Sequence, residues 1–345
     1  MRIAQLAPLV EPVPPRGYGG TELVVSLLTE ELVARGHEVT LFASGDSQTS
    51  ARLLPIVPEA LRRQDIPERR WAAYDIRSLL KLEELAGQFD VVHNHMGWQA
   101  LPALRGLSVP AVTTNHNPVK DYCAPIYLAC GSLPYVSISN AYRRVNYPDR
   151  LNYVATVYNG IDIEQFDAAA DSARSFLLFL GRVCPDKGTA EAIRIAKAVG
   201  LPLKIAGKLD VNDRPYFESS VKPHFSPRQV EYLGEVDHEG KVDLYRHAIA
   251  VLNPINFEEP FGLVMAEALA CGTPVVALNR GSVSEVLSDG ETAVVGNSVD
   301  ELIRRFPEIE KIRADACKRR ARALFSKQKM ADGYERVYRN LTERP

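Results

Sequence analysis

The run SFLLFLGRV, residues 175 to 183, places five consecutive apolar residues directly before a glycine and an arginine. A strand with one wet face alternates polar and apolar residues, so an unbroken apolar run is covered on both faces. That cover means a parallel sheet held between two layers of helix. The same texture recurs along the chain. RIAQLAPL, HEVTLFAS, DVVHNH, PAVTTNH and PYVSISN read as strands in the first half, and SFLLFLGRV, LPLKIAGK, QVEYLGEV, IAVLNP, TPVVAL and TAVVG in the second. Between them lie segments of helical period such as TELVVSLLTEELVARG, which ends at Gly36. This alternation predicts an α/β chain of two doubly wound domains in series. A length of 345 residues suits two domains better than one core.

The break is expected near VYNGIDIEQFDAAADSAR, residues 157 to 174, where Asn-Gly marks a turn and a small, acidic stretch follows. The expected organisation is a first domain over residues 1–165, a second over 172–325, and a helix over 326–345 with no strand to follow. The net charge of −2 gives no basis for a nucleic-acid partner. No apolar run approaches the ~20 residues of a membrane helix, and MRIAQLAPLVEP lacks the pattern of a signal peptide. Peripheral contact with a membrane and the oligomeric state are left open. The five cysteines lack CxxC spacing and read as free thiols of a reducing, cytoplasmic compartment.

Ligands of such sheets bind beyond the carboxyl ends of the strands, so the residues just after each strand matter most. After FLLFL comes GRVCPDKG, with Arg182 and Lys187 ahead of a helix at Gly188. Two cations beside a helix N-terminus suit a phosphate or diphosphate, with solvated surface charges as the plain alternative. After IAVLNP comes INFEEPFG. Pro260 is expected at the first helical position, with Glu259 at the helix entrance and the amides of Phe261, Gly262 and Leu263 as first-turn donors. Glu267 lies in an all-apolar helical stretch, where a carboxylate needs a partner. It stands about two helical turns, roughly 10–12 Å, beyond Glu259. That span fits a nucleoside diphosphate sugar, with sugar hydroxyls at Glu259, phosphates at the amides and ribose hydroxyls at Glu267. An Arg or Lys of the neighbouring sheet is the alternative partner for Glu267.

After the first strand, LVEPVPPRGYGGTE supplies Gly19 and Gly20, which admit close approach of backbone amides, and Thr21 as a helix cap. A plain Pro/Gly turn is the alternative. His93 and His95 alternate onto one face and His116 follows the next strand. A metal site is disfavoured, since no acidic residue or cysteine accompanies them at ligand spacing. His116 reads as lining a substrate pocket, and His93 and His95 as either pocket or hydrogen-bonded structural groups. Tyr18 and Trp98 lie on loops where they either stack on a ring or simply pack.

Taken together, EEPFGLVMAEALACGTPVVA resembles the E-x7-E signature of retaining glycosyltransferases of family 4, and GRVCPDKG resembles that family's diphosphate loop. LFASGDS, DVVHNH, VYNGIDIEQF and the GGTE loop follow its usual succession, so the resemblance runs through essentially the whole chain. It implies the GT-B fold, two Rossmann-like domains facing a central cleft, with the terminal helix crossing back to the first domain. It implies that Arg182 and Lys187 hold the donor diphosphate and that Glu259 meets the donor sugar beside the amides of residues 261 to 263. Glu267 would take the ribose, the backbone near Val236 the base, Gly20 the β-phosphate, and His116 the sugar pocket. No cofactor or metal is implied. The donor defaults to UDP-glucose, and the acceptor is an unidentified hydroxyl compound. PPRGYGGTE with LFASGDS also resembles bacterial members labelled glucosyltransferases acting on a pterin. Alternatives on the same fold are a sugar-nucleotide epimerase or hydrolase and a non-catalytic sugar-nucleotide sensor.

Overall fold

The computed structural model describes residues 1–17, 19–166, 173–226 and 228–343. The chain divides into two compact units, Met1–Gly160 with Lys327–Pro345, and Ile161–Ser326. The break falls after Gly160, at the Asn-Gly pair within the expected stretch of residues 157 to 174, five residues before the end expected for the first domain. Ile163–Phe166 is a short helix with both end residues buried, so it belongs to the second unit's core. Residues 167–172 of that expected linker lie outside the described residues.

The first unit holds a seven-stranded parallel sheet of order β3-β2-β1-β4-β5-β6-β7. Its strands are β1 (Arg2–Leu6), β2 (Glu38–Ser44), β3 (Arg52–Val57), β4 (Val91–Asn94), β5 (Ala111–Asn115), β6 (Pro134–Ser137) and β7 (Asn152–Thr156). Five were expected from the sequence; β3 and β7 were not, and they are the two edges. Edge strands escape the apolar pattern because only one neighbour constrains them, which is also why Pro55 is tolerated in β3. One sheet face packs its apolar side chains, Ala4, Leu6 and Val92 among them, into a core shared with Leu79 and Leu82 of the helix Trp71–Leu85.

Gln5 and His93 sit opposite each other in the β1–β4 register. Period-two alternation puts His95 on the same face as His93. That face is covered by the terminal helix, Lys327–Thr342, which buries Met330, Ala331, Tyr334, Val337, Tyr338 and Leu341 at three- and four-residue spacing. Arg35 clamps the helix from its exposed side, reaching Asp332 at 2.9 Å and Glu335 at 3.0 Å, and His37 Nε2 meets Glu335 at 2.8 Å.

The second unit holds a six-stranded parallel sheet of order β10-β9-β8-β11-β12-β13. Its strands are β8 (Phe176–Leu180), β9 (Leu203–Ala206), β10 (Val230–Gly234), β11 (Ala248–Asn253), β12 (Val275–Leu278) and β13 (Ala293–Gly296). Leu177, Phe179, Ile205, Leu252 and Val276 join one buried cluster, as the unbroken apolar strands require. At the carboxyl end of β9, Gly207 abuts the start of the loop after β8. A Cβ there would lie 2.0 Å from Gly181 O, and its φ of +142° is one that side-chain-bearing residues rarely adopt. Gly207→Ala is expected to lower unfolding stability by about 2–3 kcal/mol, read as a shift in urea midpoint. An unchanged midpoint would mean that the two loops are not in contact.

Candidate active site

In the second sheet the strand order reverses between β8 and β11, and a crevice opens at such a point beyond the carboxyl ends. The loops that leave these two strands are tied together. Asn256 donates its backbone N–H to Asp186 O at 2.7 Å, and its side-chain amide to Pro185 O and Glu191 Oε1, each at 3.0 Å. Gly188, with φ +76°, has no room for a side chain, since a Cβ would lie 1.9 Å from Pro254 O. This closeness sets Lys187 Nζ 2.9 Å from Glu259 Oε2 and 4.7 Å from the centre of the Phe257 ring. Glu259 is only 7% exposed. Arg182 lies in the same loop, its Nε donating to Cys184 Sγ at 3.4 Å and standing 3.5 Å from Asp213 Oδ2.

The backbone of Glu259 is pinned by Ser282, whose N–H donates to Glu259 O at 2.9 Å. Glu258 stays exposed and accepts from Gly281 N at 2.7 Å. The helix after this loop begins at Leu263 rather than at Pro260, so the expected start is corrected by three residues. Gly262, at φ 80° and ψ 70°, is left-handed and caps the helix, and Pro260 stands before the cap in the loop. Phe261 is buried edge-on against Phe325, with ring centres 5.6 Å apart. Its amide therefore precedes the helix, while those of Gly262 and Leu263 remain at its entrance. From Leu263 to Glu267 is little more than one turn, about 6 Å of rise. The two-turn helical separation expected between Glu259 and Glu267 is replaced by one turn and a capped loop.

Glu267 is 3% exposed and accepts from Lys241 Nζ at 2.7 Å and from the Tyr245 hydroxyl at 2.8 Å. Both partners project from one face of the helix His238–His247, four residues apart. A Lys was the alternative partner expected for Glu267, but from the neighbouring sheet; it comes from this helix instead, and Tyr245 was not foreseen. Burial, then the Glu267 charge, pushes the Tyr245 phenol well above its ordinary range, so it remains a donor. Asp237 caps the same helix by accepting from Gly240 N at 2.8 Å. Val236 lies just before this cap, past the end of β10.

In the first unit, Gly19 is the cap residue of the helix Gly20–Ala34, and no side chain caps it. Thr21 is thus inside the first turn instead of capping it. A Cβ on Gly19 would lie 2.6 Å from Pro15 Cβ, so the loop folds tightly on itself there. Tyr18 lies outside the described residues. Glu22, which sequence reasoning passed over, is 7% exposed, and burial raises its carboxyl to about 7.

His93 does not line a pocket. It is wholly buried, and both ring nitrogens are engaged, Nδ1 with Tyr338 OH and Nε2 with Thr114 Oγ1, each at 2.7 Å. His95 is likewise buried between Gln5 and His116. His116 keeps partial exposure at the end of this row. Burial holds all three imidazoles below their ordinary range, His116 at about 4, so they are neutral near pH 7. Among the described residues no group of three or more His, Cys, Asp or Glu is arranged to hold a metal ion. Trp98 is half-buried, its ring edge-on to the exposed Tyr122 with centres 6.3 Å apart.

Lys241→Met leaves the Glu267 carboxylate with only Tyr245 and is expected to cost about 2–3 kcal/mol of stability. Adding Glu267→Met should recover much of that loss, and a double variant as unstable as the single one would contradict the pairing. Glu22 binds a proton in the folded chain up to about pH 7 but only to about 4.5 when unfolded. Its contribution to stability therefore falls as pH rises between those values. Glu22→Gln should match the parent near pH 4.5 and exceed it at pH 8 by on the order of 2–3 kcal/mol. Equal urea midpoints at pH 8 would show that the carboxyl is not desolvated.

Comparison with known proteins meets this geometry from another side. A model described as glycosyl transferases group 1 matches residues 161–324, and one described as glycosyltransferase family 4 matches residues 18–165. The chain is 29% identical to a D-inositol 3-phosphate glycosyltransferase of Frankia alni, over 93% of this chain and 94% of that one. It is 28% identical to a glycogen synthase of Mycobacterium tuberculosis, over 81% of this chain and 79% of that one. The solved structure of AviGT4, a glycosyltransferase involved in avilamycin A biosynthesis, superposes with a TM-score of 0.75 at 27% identity, covering 99% of this chain and 98% of that one. With the two family models running in order along both units, the chain belongs to the family 4 glycosyltransferases of the GT-B fold.

Proposed function

We propose that the protein transfers a hexose from a nucleoside diphosphate sugar, UDP-glucose by default, to a hydroxyl of a small-molecule or glycan acceptor, retaining the anomeric configuration. The observation that carries this reading is the contact of Lys187 with Glu259 at the strand-order reversal of the second sheet, in the loop that also carries Arg182 and near the first-turn amides after Gly262. Cations and helix amides suit a diphosphate, and a carboxylate next to them suits sugar hydroxyls. The names of the relatives differ in what they act on, so they support the transfer and leave the acceptor class open.

In the reaction, the bond from the anomeric carbon to the diphosphate oxygen breaks as the acceptor oxygen attacks from the same face. The acceptor's proton passes to the departing phosphate. Arg182 and Lys187 stabilise the charge that develops there, which gives the step what a metal ion would otherwise supply. Lys187 is already charge-paired with Glu259, so the donor inherits an ordered ammonium group. Glu259 accepts from sugar hydroxyls, His116 meets another, and the amides of Gly19 and Gly20 serve the phosphates. Glu267, oriented by Lys241 and Tyr245, accepts from the ribose, and the backbone at Val236 reads the base. Trp98 and Tyr18 are assigned to the acceptor.

The test is nucleoside diphosphate release from UDP-, GDP- and ADP-sugars, with and without a pooled small-molecule extract. Release from one donor that rises with extract is expected. Release that ignores the extract would favour a hydrolase, and tight binding without release a sensor. Lys187→Ala is expected to lower kcat by about 10²–10³-fold with a smaller effect on KM, and parental turnover would remove its leaving-group role. Glu267→Gln is expected to raise the donor's KM about tenfold at near-parental kcat, because ribose contacts persist from ground to transition state. A collapse of kcat at constant KM would contradict that assignment.

A further inference from the structure

The first unit contains a row of polar side chains of which the proposed reaction uses only one end. His116 Nε2 is 2.9 Å from His95 Nδ1, and His95 Nε2 is 2.7 Å from Gln5 Oε1. Gln5 Nε2 is 3.2 Å from Tyr338 OH, which is 2.7 Å from His93 Nδ1. His93 Nε2 is 2.7 Å from Thr114 Oγ1, and that hydroxyl is 3.0 Å from Tyr334 OH. Every member but His116 is buried, so these groups bond to one another within the row.

The positions of those hydrogens follow from one group. A neutral imidazole has one donor nitrogen and one acceptor nitrogen. Gln5 Oε1 only accepts, so His95 Nε2 carries the hydrogen and His95 Nδ1 is a lone pair. The 2.9 Å contact is then a bond donated by His116 Nε2–H, which leaves His116 Nδ1 without hydrogen. Among the described residues, no protein group bonds His116 Nδ1. On the other side, Gln5 Nε2 donates to Tyr338 oxygen, the Tyr338 O–H donates to His93 Nδ1, and His93 Nε2–H donates to Thr114. Turning the Gln5 amide over would reverse all of these directions and make His116 Nδ1 a donor.

We infer that Gln5 is a positioning residue for the transfer: acting through His95, it fixes the tautomer in which His116 offers a bare Nδ1 and recognises a sugar hydroxyl as hydrogen-bond donor. The recognition part rests on the placement of His116 at the transferred sugar proposed above. The tautomer part rests on the bonds and on the orientation of the Gln5 amide, with Oε1 toward His95 and Nε2 toward Tyr338. Tyr338 brings the terminal helix into the same device by receiving the other half of the Gln5 amide.

The test uses the full chain labelled with [15N]histidine and long-range proton–nitrogen spectra that separate Nδ1–H from Nε2–H tautomers. In the parent, His95 and His116 are both expected as Nε2–H. Gln5→Leu removes the acceptor of His95, and a buried lone pair without a partner costs less than a buried N–H without one. Both rings should then move their hydrogen to Nδ1. The parent spectrum is a test in itself should the variant not fold: His116 found as Nδ1–H there, or unchanged in a folded Gln5→Leu, overturns the inference. In the same variant the donor's kcat/KM should fall on the order of five- to tenfold, mainly through KM. Changed tautomers with parental kcat/KM would leave Gln5 setting the tautomers but overturn its positioning role in the transfer, and would remove His116 from the sugar.

Discussion

Two loops can lie in contact beyond the sheet of the second unit because Gly188 carries no side chain where it meets Pro254. Parallel strands bring their carboxyl ends to one edge, but they do not by themselves bring the following loops into contact. The contact is made by Gly188 and by the three bonds of Asn256, and it is what holds Lys187 against Glu259. A flexible ammonium group is thereby given one position before any ligand arrives. The rest of the site is arranged around that point. Gly262 stops the following helix from starting early, which keeps Glu259 in a loop pinned by Ser282 instead of in a first helical turn.

Both units bury polar groups near their sheets, and they solve the resulting problem differently. In the second unit a charge is buried and answered by a charge, Glu267 with Lys241, helped by the Tyr245 hydroxyl. Such a pair is costly to break and gives the carboxylate a fixed direction. In the first unit the buried groups are kept neutral and joined in a line, so that no full charge needs solvating. The terminal helix belongs to this second solution. Its Tyr334 and Tyr338 supply the hydroxyls that the histidine-bearing face of the sheet requires.

The architecture was legible because parallel strands covered on both faces leave unbroken apolar runs, as FLLFL does. The strands that went unread, Arg52–Val57 and Asn152–Thr156, are edges with one covering neighbour each. Arg182, Lys187 and Glu259 were legible because each follows a readable strand. The start of the helix after Glu259 was misjudged because Pro260 advertises a first turn, whereas Gly262 takes a left-handed conformation that only the folded backbone reveals. The partners of Glu267 lie 26 and 22 residues away on another helix, a distance at which sequence spacing carries no signal. His93 stayed open between a pocket residue and a structural one because its burial depends on Tyr338, 245 residues later. Gln5 had a local mark that went unused, a lone amide inside an apolar strand, which is a polar group in need of a partner.

The proposed function depends on where the donor's diphosphate binds. A crystal structure of the chain grown with UDP tests that directly. It should place the two phosphates against Arg182, Lys187 and the amides after Gly262, with the ribose within hydrogen-bonding distance of Glu267. Phosphates bound elsewhere, with Lys187 and Arg182 free of them, would contradict the assignment of this site as the donor site.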